Sequence, residues 1–302
     1  MIHKNVLSLI GNTPMVKINK LTNAEKDAVI LAKLEEYNIA GSLKDRMALY
    51  LIENAEKNGR MAKDKILLEA SSGNTGIAMA MISAVKGYKI TIVIPESVSV
   101  ERRKLISAYG AELILSPGAK GTGGAVELKD QLLSESPEKY INLDQFKNPA
   151  NIQAHYETTS KEIIEQTDGK LDMVIIGIGT AGTGVGVSKR LKEYNPQIKV
   201  IGVMPELGSA IQGLRNPKEL NPTQLYDKKY FDEVIEIKKE LIPETFAVAR
   251  KLASQEGILV GMSSGAVMYI ALQKAKILGK GKTIVAILPD TGERYLSTGL
   301  FE

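Results

Sequence analysis

Short runs of Val, Ile and Leu recur along the chain at 66–69, 89–94, 112–115, 172–176, 199–203 and 283–288, apolar at nearly every position instead of at alternate ones. Runs of that kind predict strands covered on both faces, as in parallel sheets. Between them the apolar positions change to helical spacing. Ala48, Leu51, Ile52 and Ala55 share one helix face before Gly59, Ala78, Met81, Ile82 and Val85 do so before Gly87, and Leu105, Ile106 and Tyr109 lead to Gly110. Each glycine stands where a helix stop is expected. The repeated strand–helix alternation predicts an α/β protein of two domains, with mostly parallel twisted sheets flanked by helices. A length of 302 residues is enough for two hydrophobic cores. The polar stretch 142–151, which contains Pro149, is the predicted crossing between them.

Composition narrows the chemistry. The chain has no Cys, which removes disulfides, thiolate metal sites and cysteine nucleophiles. His3 and His155 lie too far apart to form a metal motif, so no metal is expected. With 39 Lys and Arg against 35 Asp and Glu, the formal charge is +4 and the signs are mixed, which leaves no footprint for nucleic acid. No stretch has the apolar length of a membrane span, and the residues before Pro14 lack a basic region followed by an apolar run. A soluble cytoplasmic protein is expected.

Three features remain that carry chemistry. The apolar run ending at Ile176 passes straight into Gly177-Ile178-Gly179-Thr180-Ala181-Gly182-Thr183-Gly184, followed by a helical pattern over 185–194. Such a turn gathers backbone N–H groups where the helix dipole also favours an anion, so it predicts a phosphate cradle. It equally fits the G-x-G-x-x-G of a dinucleotide site with Glu206 as the ribose acid, and an NAD-dependent oxidoreductase stays open on that ground. The second loop, Ser71-Ser72-Gly73-Asn74-Thr75-Gly76, offers more hydroxyls and an amide than a helix cap needs, and could bind a carboxylate. The third, Gly41-Ser42-Leu43-Lys44-Asp45-Arg46, sets Lys44 in a first helical turn behind Ser42 as N-cap. There the dipole and nearby Arg46 disfavour an ammonium, and a neutral amine is what joins an aldehyde.

At these residues the chain resembles the cysteine synthase (O-acetylserine sulfhydrylase) family of fold-type II pyridoxal-phosphate enzymes, related to cystathionine β-synthase. The resemblance runs through Ile10-Gly11-Asn12-Thr13-Pro14, Ala32-Lys33-Leu34-Glu35, the two motifs at Lys44 and Asn74, Gln145-Phe146, Asn148-Pro149, Gly261-Met262-Ser263-Ser264-Gly265 and Gly292-Glu293-Arg294-Tyr295-Leu296-Ser297. It implies pyridoxal 5′-phosphate as cofactor, joined to Lys44, with its phosphate held by Gly179, Thr180, Ala181, Gly182 and Thr183. Asn74 is implied beside the ring hydroxyl, Ser263 at the ring nitrogen, and Ser71, Ser72, Asn74, Thr75 and Gln145 on the substrate carboxylate. The implied reaction is β-replacement on a 3-substituted L-alanine through an aminoacrylate, with O-acetyl-L-serine and sulfide giving L-cysteine and acetate. The same cycle run on L-cysteine, releasing hydrogen sulfide to water or a thiol, is the alternative. A homodimer is also implied, with a mobile part over 88–133, one domain of 1–12 and 36–147, and another of 13–35 and 148–302.

Departures from the family pattern are Ala181 for a glycine, Ser71 for a threonine, and a segment at 206–237 closer to the shorter second isozyme form. Within that segment Asp232, next to Tyr230 and Phe231, is a candidate base for activating water, set against a plainer reading as a surface acid at a strand start.

Overall fold

The computed structural model describes every residue except Met1, Lys63, Ser72, Leu220 and Asn221. Its strands are β1 (Met15–Lys17), β2 (Val29–Leu34), β3 (Ile66–Ala70), β4 (Lys89–Pro95), β5 (Glu112–Ser116), β6 (Tyr140–Ile141), β7 (Met173–Gly177), β8 (Lys199–Pro205), β9 (Glu233–Ile237) and β10 (Thr283–Leu288). Its helices are α1 (Lys44–Lys57), α2 (Asn74–Lys86), α3 (Val100–Ala108), α4 (Gly121–Glu135), α5 (Ala150–Ala154), α6 (Ser160–Gln166), α7 (Gly182–Tyr194), α8 (Ile242–Lys251) and α9 (Met262–Leu278). All six apolar runs are strands. Their ends move by a residue or two, as strand ends read from pattern do.

The strands form a parallel four-stranded sheet in the order β5-β4-β3-β6, and a six-stranded sheet in the order β1-β2-β10-β7-β8-β9, parallel except for the edge strand β1. Alternate side chains of a strand point to opposite faces, and helices cover both. On β10, Ile284, Ala286 and Leu288 pack with Val267 and Ala271 of α9, whereas Val285 and Ile287 pack with Val185 and Leu191 of α7. In the smaller sheet, Met47, Leu51 and Ile52 of α1 meet Ile77 and Met81 of α2 over one face, and Ala125 of α4 lies with Leu68 and Val93 on the other. Each fully buried Val, Leu, Ile or Met among them stabilises the fold by roughly 1.5–3 kcal/mol relative to exposure.

A buried ionic cluster ties α1 to the larger sheet. Arg46 forks onto Glu35, with Nε at 2.7 Å and Nη2 at 2.9 Å, and onto Glu162 of α6, with Nη2 at 2.8 Å. Lys33 of β2 donates to Glu162 at 2.7 Å and to the Thr13 carbonyl at 2.7 Å. Burial alone would raise both carboxyls, but the Arg46 guanidinium together with the Lys33 ammonium more than offsets it and holds Glu35 and Glu162 below the usual carboxylate range. The two cations and two anions balance, which is what permits their burial.

The polar stretch 142–151 is not a free linker. It leaves β6 and enters α5 just after Pro149, and its side chains satisfy its own backbone: Asn148 donates to the Leu143 carbonyl at 3.0 Å and accepts from the Ala150 N–H at 3.0 Å. Strands β3, β4, β7, β8 and β10 all end toward one region between the sheets, the place where open α/β folds carry their ligands.

Candidate active site

At those strand ends lies a cavity of about 540 Å³, lined by residues that directly follow β3, β4, β7 and β10. Lys44 reaches its wall from the first residue of α1. The N-cap position belongs to Leu43, whose side chain cannot cap; the Ser42 hydroxyl accepts from the Lys44 N–H at 3.3 Å, so the hydroxyl acts one residue earlier than expected. The Leu43 N–H bonds the Pro289 carbonyl at 2.9 Å, which fixes Lys44 against the end of β10. Burial pushes the Lys44 ammonium down to about 8, against the opposing pull of Asp290. Arg46 does not contribute to that shift, contrary to expectation; its guanidinium pairs with Glu35 and Glu162.

The second loop forms the next wall. Ser71 is buried and its Oγ accepts from the N–H groups of Gly73 at 3.1 Å and Gly76 at 3.0 Å, which leaves its own hydrogen to offer. The Thr75 hydroxyl donates to Gln145 Oε1 at 2.6 Å, and Gln145 Nε2 to the Ala70 carbonyl at 3.2 Å. Asn74 and Thr75 open α2, whose first N–H groups have no carbonyl one turn earlier to meet, a setting that favours an anion. Ser72 lies outside the described residues.

Across the cavity, Gly179, Thr180, Ala181 and Thr183 line the start of α7, which begins at Gly182. Ala181 sits at φ 68°, the left-handed region, at a cost of about 1 kcal/mol that a glycine would avoid. A side chain at Gly179 would approach the Gly213 carbonyl to 2.7 Å, so the turn is closed down around backbone alone. Both hydroxyls of this cradle are held from behind. Asn151 Nδ2 donates to Thr180 Oγ1 at 3.0 Å, and His155 Nε2 lies 3.1 Å from Thr183 Oγ1. Burial holds His155 well below the usual imidazole range, so it is a neutral partner. Ser263, in the first turn of α9, adds a buried hydroxyl to the same cavity.

Of the described residues in the expected constellation, all line this cavity except Gly182, which begins α7 beside it, and Asp232. Asp232 is a correction: it lies at the start of β9, at the opposite end of the sheet from the cavity, paired with Lys192 at 2.7 Å and Lys199 at 3.2 Å and accepting from the Val200 N–H at 2.8 Å. Burial would raise its carboxyl, but Lys192 and the Val200 N–H outweigh it and hold it below the usual range, unsuited to a base. Phe231, whose bulk was expected to help, turns away and packs against Gly184 and Gly202. Asp232→Asn is expected to leave both thiol- and water-dependent turnover within about twofold of wild type, as for other surface changes, in steady-state assays. Glu206 also lies outside the cavity lining, bonded to Lys238 at 2.8 Å, which removes the ribose acid of the dinucleotide reading. The segment 206–237 does reach the cavity through Ile211, Gln212 and Gly213.

Sequence reasoning missed the buried group behind the loops, namely His155, Asp290, Arg294 and Tyr295. The last two fall in a motif noted only for its resemblance.

A family model described as "Pyridoxal-phosphate dependent enzyme" matches residues 6–290. The chain is 41% identical to a cysteine synthase of Aquifex aeolicus over 304 residues, covering 99% of this chain and 92% of that one. The crystal structure of cysteine synthase from Entamoeba histolytica superposes with a TM-score of 0.89 at 40% identity, covering 100% and 91% of the two chains. That of a hydrogen sulfide-producing enzyme from Fusobacterium nucleatum superposes at 0.88, also at 40% identity, covering 98% and 100%.

Proposed function

Since this chain belongs to the pyridoxal-phosphate-dependent enzyme family, we propose that it converts O-acetyl-L-serine and sulfide into L-cysteine and acetate by replacing the substituent on the β-carbon. The observation that carries this reading is a lysine pushed down to about 8 by burial, standing between an anion cradle on one wall and a hydroxyl-rich loop on another. These residues fit the cofactor. The start of α7, with Thr180 and Thr183, would hold its phosphate, Lys44 its aldehyde carbon, and Ser263 its ring nitrogen.

Bound there, pyridoxal 5′-phosphate supplies an electron-poor ring that draws charge from the substrate α-carbon. The protein's part is positional. The side chains of Ser71 and Gln145, with the backbone N–H groups of Asn74 and Thr75 at the start of α2, orient the substrate carboxylate, which places the α-hydrogen toward Lys44. The Lys44 amine takes that proton from the α-carbon and later returns it, a task suited to a base whose pKa lies near working pH. Ser263 offers the ring nitrogen a neutral hydroxyl where a carboxylate would stabilise full protonation, which favours loss of a β-substituent over deeper carbanion chemistry. Closure of residues 88–133 over the cavity would exclude water while the second substrate enters. On this reading the enzyme works as a cytoplasmic homodimer; among the described residues no helix is long and apolar enough to cross a membrane.

A second reading, in which L-cysteine is consumed and sulfide released, is favoured by the likeness to the Fusobacterium nucleatum enzyme. Mass spectrometry of the products separates the two. Cysteine formed from O-acetyl-L-serine and sulfide faster than sulfide is released from cysteine alone supports the first. The reverse order installs the second, and no amino-acid product from either mixture overturns both.

A further inference from the structure

Asn74 stands at the cavity wall with its side-chain amide pinned from two sides. Its Nδ2 donates to Asp290 Oδ2 at 2.7 Å, and its Oδ1 accepts from Arg294 Nη1 at 2.6 Å. Both partners are buried, Asp290 completely and Arg294 to 3% exposure, in the segment that follows β10. They are themselves held. Asp290 Oδ2 accepts from the Tyr295 hydroxyl at 2.7 Å, Arg294 Nη2 donates to the Ala40 carbonyl, and the Tyr295 ring lies 4.5 Å beneath the Arg102 guanidinium. The turn at Gly41 is moulded on this guanidinium: φ is 76°, and a side chain there would come within 2.6 Å of Arg294 Nη2.

Rotating the Asn74 amide by half a turn would set its oxygen against a carboxylate and its NH₂ against a guanidinium. Both contacts would be repulsive, so only one orientation survives in this pocket. With one Nδ2 hydrogen on Asp290 and Oδ1 on Arg294, the second Nδ2 hydrogen is what the amide has left for the cavity. We infer that Asp290 and Arg294 are positioning residues that lock Asn74 as a donor, never an acceptor, toward the ring oxygen of the bound cofactor, and so favour the ionised form of that oxygen. This rests on the cofactor reading given above.

The colour of the holoenzyme reports the lock, because the bound cofactor absorbs in the visible when its ring oxygen is ionised and in the near ultraviolet when that oxygen keeps its proton. Arg294→Met should lower the visible to near-ultraviolet absorbance ratio by about tenfold, the size expected for one hydrogen bond to a charged group. Arg294→Lys, which keeps the charge but not the planar fork, should recover part of the loss. In an Asn74→Ala background, Arg294→Met should have no further effect, since a residue acting through Asn74 has nothing left to act on. Asp290→Asn, compared in the same two backgrounds, serves if Arg294→Met does not fold. An unchanged ratio in the single variants, or an equal shift with and without Asn74, overturns the inference while leaving the cofactor reading intact. A wild-type protein with no cofactor absorbance at all overturns both, and is told apart by the absence of any band to shift.

Discussion

Lys44→Ala is expected to abolish turnover, a fall on the order of a thousandfold or more, and to remove the visible absorbance of the cofactor–lysine linkage. The amine is both the attachment point and the base at the substrate α-carbon, so no neighbouring group substitutes for it. Retention of wild-type activity by the variant would falsify the central assignment. A second consequence concerns stability. Burial lowers the Lys44 pKa from its ordinary 10.5 to about 8, so between those values the unfolded chain binds a proton that the folded chain does not. Unfolding free energy must then rise with pH through that window, by roughly 3 kcal/mol in the cofactor-free protein. Below about 8 the folded state carries the full cost of a buried ammonium. Lys44→Ala should lose this rise, which denaturant titrations at pH 7.5 and about 10.5 on the two cofactor-free proteins would reveal. A catalytic amine that weakens the fold holding it is the familiar opposition between activity and stability.

The largest effect on folding is expected from Arg46→Met, about 3–5 kcal/mol of destabilisation. Met matches much of the lost volume, so the cost is electrostatic: Glu35, wholly buried, would keep only neutral donors such as Thr13 at 2.7 Å and Asn38 at 2.9 Å. By contrast, Glu53→Gln touches an ion pair with Lys86 at 3.7 Å whose carboxylate is 41% exposed, and should change stability by less than about 1 kcal/mol. Urea midpoints of the two variants, with m-values compared to check two-state behaviour, decide the matter. Similar midpoints would show that the buried cluster contributes no more than a surface pair. The pH dependence has the same sign as that of Lys44 but lies in a lower window. Glu35 and Glu162 are held below their ordinary value of 4.5, so their contribution is complete above it and is lost as pH falls through their depressed folded values.

Much of this was legible in the sequence, for reasons that differ by element. β3, β4, β7, β8 and β10 are buried on both faces, and unbroken apolar runs report that directly. β2 was missed because Lys33 interrupts it, and its burial depends on Glu162, 129 residues away. β1 and β6, at three and two residues, are too short to carry a pattern. The cradle at Gly179 and the loop at Asn74 were visible because their chemistry is local, a glycine turn or a hydroxyl cluster at a helix start. The supports behind them were not: His155 meets Thr183 across 28 residues, and Arg294 meets Asn74 across 220. Asp232 misled for the same reason. Its aromatic neighbours in sequence suggested an apolar setting, but which way Phe231 turns is decided by the glycines of α7 and β8 that it packs against.

The pairing of β2 with β10 has a consequence for how the molecule is made. Val29 to Leu34 lie in register with Thr283 to Leu288, so the two strands that deliver Lys44 and Asp290 to the cavity are neighbours in space but nearly a whole chain apart in synthesis. The four-stranded sheet, with all its strands between Ile66 and Ile141, can form while the ribosome is still producing the rest. β2 must wait, unpaired on one edge, for the last strand to emerge. Long-range closure of this kind is slow and leaves an edge exposed to wrong partners. Until β10 joins it, that edge of β2 stays open to wrong partners, and the lysine meets Asp290 only once β10 has closed the sheet.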